Sequence, residues 1–220
     1  MHFSLTDEQQ MIVDTTRAFV ENELYPHEAE VEQTGHLDMD LVREIQQKAI
    51  ETGLYAANIP TEFGGGGLDT LTWLLYEKEL GRANYALHWT CIARPSNILC
   101  AGTPEQQEKY LHPCVAGETW DSLAMTEPGA GSDLASLRLR AERDGDDYVI
   151  NGQKIWTSGA HLANWMFGLV RTDPDAPKHR GITYLVLPMD SPGITVRQIN
   201  QMSGGAGFNE VFFEDVRVPV

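Results

Sequence analysis

The sequence predicts an α+β chain, with an all-helical N-terminal domain followed by an antiparallel β-barrel or sandwich. Three observations carry that expectation. Capped segments with apolar residues at helical spacing fill the first half. Short β-rich runs separated by turn dipeptides fill the second. The change of character near Trp120 is abrupt, which sets the domains at residues 1–119 and 120–220.

The helices follow from start and stop signals. Thr6 and Gln9 form a capping-box pattern. Met11, Thr15, Ala18 and Phe19 then mark one face of a first helix, and Pro26 limits its extent. A second helix starts near Asp40, with Leu41, Ile45 and Ala49 inward and Gly53 as its left-handed terminator. A third runs from about Thr70 to Leu80, with Leu71, Leu74 and Leu75 inward and Gly81 at its end. Thr103-Pro104-Glu105-Gln106 opens another through Tyr110 and Leu111, because a cap precedes proline in the first turn. The run Gly64–Gly67 lacks the Gly-Lys-Ser/Thr of a P-loop and the spacing of a dinucleotide fingerprint. It reads as a flexible turn between helices.

Strands are expected at 122–126, 137–143, 148–150, 154–157, 165–171, 182–188, 194–198 and 211–218. Leu137, Leu139 and Ala141 alternate with Arg138, Arg140 and Glu142, as on a strand with one wet face. Asp144-Gly145 and Asn151-Gly152 are hairpin dipeptides. Even spacing of short strands points to a closed or doubled antiparallel sheet.

Composition removes several functions. Hydrophobic residues make up 42% of the 220, enough to bury a core. Asp and Glu outnumber Lys and Arg by 32 to 16, for a formal net charge of −16. That argues against nucleic-acid partners, which need a basic face. It leaves room for an anionic ligand held by local donors. Cys91, Cys100 and Cys114 have neither CxxC spacing nor histidine companions, so no metal is expected. They read as small buried hydrophobes in a reducing compartment. The segment from Met1 to Thr6 has no basic or apolar leader pattern, and no run is long and apolar enough to span a membrane. The expected location is cytoplasmic.

The chemistry concentrates in two segments. Leu123-Ala124-Met125 leads into Thr126-Glu127-Pro128-Gly129-Ala130-Gly131-Ser132-Asp133, a loop with two glycines, two hydroxyls and two carboxylates. Glycines let a backbone approach a ligand closely, and free N–H groups and hydroxyls suit a phosphate or a heteroaromatic edge. Downstream, Lys154-Ile155-Trp156-Thr157-Ser158-Gly159 offers an aromatic ring and two hydroxyls that could close the other side of a flat cofactor. The carboxylates of the loop read differently: Glu127 suits bracing through backbone hydrogen bonds, and Asp133 suits fixing the turn. Glu210 and Glu214 read as solvated.

Taken together with Asn151–Trp156 and the closing run Gly207–Pro219, the Thr126–Asp133 loop resembles the acyl-CoA dehydrogenase family, whose TEPGAGSD run it matches at every position. The resemblance covers the whole chain in order: helical N-terminal domain, then middle β-domain. It implies oxidation of an acyl-CoA thioester with FAD, by removal of an α-proton and transfer of a β-hydride to flavin N5. A C-terminal four-helix bundle follows in the family, and nothing here corresponds to it. The catalytic base is therefore expected beyond Val220.

By the same resemblance, Leu123, Met125 and Thr126 face the pyrimidine side of the isoalloxazine, and Trp156, Thr157 and Ser158 line its other side. Gly131 and Ser132 approach the pyrophosphate or the pantetheine arm, which makes Ser132 a substrate contact as well. Ser158 stands where many relatives have threonine and keeps the hydroxyl for N5. Asn209 falls near a cofactor-binding arginine of some relatives, and asparagine has no charged fork for a phosphate. Arg94-Pro95-Ser96 lies where the helical domain borders the acyl chamber. His88 and His161 read as structural. The family implies an electron-transfer flavoprotein as electron acceptor and a homo-oligomer, typically a homotetramer, in fatty acid metabolism. Two other readings stay open: a non-catalytic flavin- or CoA-binding subunit of a heteromeric dehydrogenase, and an oxygen-using flavin oxidase or monooxygenase.

Overall fold

The structure is a computed structural model that describes residues 4–35, 37–93, 95, 97–202 and 204–220. Arg94 and Ser96, expected beside the acyl chamber, and Met1, His2 and Phe3 of the terminus lie outside the described residues. The chain divides into two compact units, Met1–Glu118 and Thr119–Val220.

The first unit is helical. Helix α1 (Asp7–Phe19) opens on the expected capping box, with Thr6 Oγ1 accepting from the Gln9 N–H at 3.2 Å and Gln9 Oε1 accepting from the Thr6 N–H at 3.1 Å. Its inward face differs from the expected one. Met11, Thr15 and Ala18 are exposed, and Val13, Thr16 and Phe19 are buried. Thr16 can be buried because its hydroxyl donates to the Ile12 carbonyl at 2.7 Å.

Pro26 does not stop the helix. The chain widens into a π-helical turn, Val20–Leu24, and continues as α2 (Tyr25–Thr34). Proline lacks an N–H and crowds the preceding turn, and one extra residue per turn relieves both problems. The same device recurs at Gln107–Leu111, between α6 (Pro104–Gln106) and α7 (His112–Val115), where Pro113 follows.

Helix α3 (Met39–Glu51) is capped by Asp38, whose side chain accepts from the Asp40 and Leu41 N–H groups. It ends at left-handed Gly53 as expected. Helix α4 (Thr70–Leu80) has the expected span but the opposite face. Leu71 and Leu74 are more than half exposed, and Thr72, Tyr76, Glu79 and Leu80 are buried. Each buried polar group there is satisfied. The Tyr76 hydroxyl donates to the Leu54 carbonyl at 2.9 Å, and Glu79 receives a two-pronged Arg17 at 3.1 and 3.2 Å. Helix α5 (Tyr85–Thr90) follows.

The glycine run Gly64–Gly67 is packed rather than flexible. Gly66 and Gly67 donate to the Ala56 and Ile59 carbonyls at 3.0 and 2.8 Å. A Cβ on Gly65 would collide with the Ile59 carbonyl oxygen, so the close approach of two backbones explains the glycine.

The second unit is one curled, mixed sheet. Its strands are β1 (Asp121–Ala124), β2 (Arg140–Asp144), β3 (Asp147–Ser158), β4 (Trp165–Arg171), β5 (Ile182–Pro188), β6 (Ile194–Ile199) and β7 (Phe208–Pro219). The order is β1-β4-β2-β3-β7-β6, with β5 on the far edge of β4. Most pairings are antiparallel as expected, but β1 and β2 both meet β4 in parallel. One edge of β4 serves both, β1 along Trp165–Gly168 and β2 at Arg171.

Asp144-Gly145 makes the expected hairpin between β2 and β3. Asn151-Gly152 does not. It lies inside β3, which is one long strand with a bulge there, and the Asn151 Oδ1 accepts from the Asp215 N–H of β7 at 2.9 Å. The core joins Leu139, Ala141, Ile150, Met166, Val211 and Phe213, so the alternation read at 137–142 is observed.

Candidate functional site

The two motif segments fold side by side. The Ile155 N–H donates to the Thr126 carbonyl at 2.9 Å, and Ser122 Oγ donates to the Ser158 carbonyl at 2.8 Å. The start of the loop therefore runs antiparallel to the end of β3. At this seam β1 and the loop thus fill the gap between β4 and the last residues of β3, in line with β2, which pairs with the first residues of β3.

A buried ion pair pins the seam. Lys154 is fully buried, and its Nζ donates to Glu127 Oε1 at 2.9 Å and to the Met125 carbonyl at 3.0 Å. Glu127 also accepts from the Arg138 N–H at 2.6 Å and the Leu139 N–H at 2.9 Å. Both of its oxygens are thus committed to bracing, as expected. Burial pushes the Lys154 ammonium below its ordinary value, and the Glu127 carboxylate opposes that shift. Sequence reading did not find this pair. A lysine within a strand pattern ordinarily points to water, and its partner is distant in the chain.

The loop itself is a tight turn. Glu127 and Ala130 exchange backbone hydrogen bonds at 3.0 and 3.1 Å, with Pro128 and Gly129 at the corner. Beyond it, Gly131 and Ser132 are exposed, and a Cβ on Gly131 would meet nothing within 4 Å. Ser132 lines a shallow depression with Asp133, Leu134, Leu169, His179 and Ile182. Asp133 fixes the turn as expected: the Ser136 hydroxyl and Lys178 ammonium hold its carboxyl below the usual range.

Side chains alternate along both segments. Leu123 and Met125 are 44% and 38% exposed, Trp156 is 54% exposed, and Ser158 is exposed beside them. Large apolar side chains left this open on adjacent strands form a wall suited to a flat ring system. Thr126 is half-buried at its edge. Thr157 is turned inward at 1% exposure, so it presents no side chain on the wall. Thr157 Oγ1 and Asn209 Oδ1 are buried without a hydrogen-bond partner among the described residues.

Trp156 is held unusually. Between Lys154↔Val211 and Thr157↔Asn209, β3 places two residues against Glu210 alone. Trp156 takes φ +62 in this bulge, a left-handed backbone that costs a bulky residue ~1–3 kcal/mol. The Phe208 ring meets its indole edge-on at 6.2 Å and 87°. Sequence reading missed Phe208, because only the register of β7 on β3 brings it to the site.

Asn209 is fully buried, and its Nδ2 donates to the Thr157 carbonyl at 2.8 Å and the Gly207 carbonyl at 3.3 Å. Glu214 is exposed and Glu210 half-buried. His88 is buried 3.4 Å from Glu77, and His161 is exposed. Cys91 and Cys114 are buried and Cys100 partly so, and burial pushes the Cys91 thiol up to about 12. Among the described residues no cluster suits a metal ion, and no helix is long and apolar enough to cross a membrane.

The residues present fit a flavin. The seam offers an open apolar wall, flanking hydroxyls at Thr126 and Ser158, and an uncrowded glycine loop. Comparison with known proteins shows the family. Residues 6–118 match the acyl-CoA dehydrogenase N-terminal domain, and residues 122–216 match the acyl-CoA dehydrogenase middle domain. Over 176 residues the chain is 43% identical to acyl-CoA dehydrogenase IpdE1 of Mycobacterium tuberculosis, taking in 78% of this chain and 45% of that protein. A crystal structure of an acyl-CoA dehydrogenase from Geobacillus kaustophilus matches with a TM-score of 0.84 and 34% identity, over 100% of this chain and 58% of that one. The ChsE4–ChsE5 complex from Mycobacterium tuberculosis matches with a TM-score of 0.84 and 33% identity, over 100% of this chain and 56% of that one. The chain thus spans about half the length of these relatives. With both domain models matched in order along it, the chain belongs to the acyl-CoA dehydrogenase family.

Proposed function

We propose that this chain holds the flavin of an FAD-dependent acyl-CoA dehydrogenase, which removes an α-proton and a β-hydride from an acyl thioester. The observation that carries the reading is the seam, where Leu123 and Met125 stand exposed beside Trp156 and Ser158. FAD supplies the hydride acceptor when bound. The chain's own residues then have separable tasks. Leu123, Met125 and Trp156 exclude water from the ring faces. Thr126 and Ser158 orient the ring through their hydroxyls, and Ser158 does so with less restraint than a β-branched threonine. Gly131 and Ser132 receive the pyrophosphate or the pantetheine arm of acyl-CoA, with the depression beside Ser132 as its path.

The base comes from outside residues 1–220. Both Glu127 oxygens are bonded, and Asp133 is held by Ser136 and Lys178. A carboxylate so engaged is a poor proton acceptor for a carbon acid. Electrons pass on to an electron-transfer flavoprotein, and the intact protein is a cytoplasmic homo-oligomer. Its similarity to a two-component complex supports a second reading, in which this chain is one subunit of a heteromeric dehydrogenase.

The test is the visible spectrum of the intact protein before and after anaerobic addition of an acyl-CoA. A flavin band that bleaches is the expected result, with poor turnover by residues 1–220 alone. Robust turnover by residues 1–220 contradicts the placement of the base. A purified intact protein that takes up no FAD contradicts the function.

A further inference from the structure

The left-handed backbone of Trp156 needs restraint on both sides, because such a conformation persists only where its surroundings over-determine it. On the upstream side the restraint is Lys154, buried against Glu127 and the Met125 carbonyl, with the Ile155 N–H bonded to Thr126. On the downstream side it is Asn209. Its Nδ2 donates to the Thr157 carbonyl at 2.8 Å, directly after Trp156 in the chain. The same group donates to the Gly207 carbonyl at 3.3 Å, which steadies the entry of β7. Phe208 lies between Gly207 and Asn209, pairs with Ser158 in register, and meets the Trp156 indole edge-on at 6.2 Å.

We infer that Phe208 and Asn209 are positioning residues for Trp156: Asn209 fixes the bulged backbone that projects the indole, and Phe208 fixes the plane of its ring. The inference rests on the reading of the seam as a flavin wall. It gives Asn209 a task unlike that of an arginine reaching outward to a phosphate. Asn209 is fully buried, and its Nδ2 hydrogen bonds run to strand and loop carbonyls of this unit. Its effect on a cofactor therefore passes through Trp156. Phe208 is 38% exposed, so its ring extends the wall as well as orienting its neighbour.

The test labels the intact protein with 5-fluorotryptophan and follows Trp156 by fluorine NMR, with its resonance assigned through Trp156→Phe. Without FAD, Phe208→Leu is expected to move the Trp156 resonance by removing a ring current. Asn209→Leu is expected to broaden or split it while the other tryptophans stay in place. With FAD added, each variant is expected to bind about three- to tenfold more weakly. A Trp156 resonance unmoved in both variants overturns the inference. So does a moved resonance with FAD affinity equal to that of the parent protein. Should the parent protein take up no FAD, the flavin reading fails, while the resonance alone still decides whether these residues hold the indole. Phe208→Leu alters a partly exposed ring, and it keeps the test decisive where Asn209→Leu does not fold.

Discussion

The Lys154 ammonium and the Glu127 carboxylate meet at 2.9 Å in the interior of the β unit, and they join the strand that carries Trp156 to the loop that carries Thr126. Removing one member leaves a buried charge without its partner, a loss of ~3–5 kcal/mol. Lys154→Met is therefore expected to destabilise the β unit by about that much. Glu127→Leu with Lys154→Met is expected to cost less than the sum of the two single changes. Urea unfolding of the three variants checks the coupling, and additive losses would show that the pair does not act as a unit.

Acid sensitivity is expected in the helical unit through Glu79. The hydrogen bonds from Arg17 hold its carboxyl below the ordinary value of 4.5. A carboxyl lowered in the folded state contributes stability that is fully present above the unfolded value and is lost as pH falls through the folded one. Stability should therefore decline from about pH 4.5 downward. Glu79→Gln should flatten that decline while lowering stability near neutrality by ~1.5–3 kcal/mol, the worth of hydrogen bonds to a charged group. Denaturant unfolding at a series of pH values reads both effects.

Gly65→Ala tests the packed turn. A Cβ there collides with the Ile59 backbone, and overpacking of this kind costs ~1–3 kcal/mol or more. Gly129→Ala is the contrast, because its Cβ would meet nothing within 4 Å and its backbone needs no left-handed turn. Thermal unfolding should separate the two variants clearly, and equal midpoints would contradict the packed arrangement.

Thr126→Val and Ser158→Ala, made in the intact protein, remove one hydroxyl each from the edge of the wall. A typical hydrogen bond contributes ~0.5–1.5 kcal/mol, so each change should weaken FAD binding about two- to tenfold. Fluorescence titration with FAD measures this. Unchanged affinity and flavin kinetics in both variants would remove the hydroxyls from the site.

Much of this architecture is legible in the sequence, for identifiable reasons. Caps are local, so Thr6, Thr103 and Gly53 mark helix ends correctly. Strands with strong β-branched and aromatic content, such as Trp165–Arg171 and Ile182–Pro188, have the expected bounds. The inward faces of α1 and α4 are not legible, because satisfied polar residues displaced leucine and methionine from the buried stripe. Asn151-Gly152 looks like a hairpin turn, yet the pairing of β3 with β7 on both sides of it turns it into a bulge. At the site, the motif names Leu123, Met125, Trp156 and Ser158, and all four are exposed along one seam. Lys154, Phe208 and the task of Asn209 are products of register, which no local pattern encodes.

The seam is tested as a flavin wall most directly by titrating FAD into the intact protein and its Met125→Asp variant. Met125 is 38% exposed and holds Lys154 through its backbone carbonyl, so the substitution leaves the fold in place. A carboxylate there places a charge against an apolar ring face. The expected result is a loss of FAD affinity of about tenfold or more with unchanged unfolding, in keeping with the cost of an unpaired charge at a desolvated contact. Equal FAD affinity in the two proteins would show that the flavin rests elsewhere.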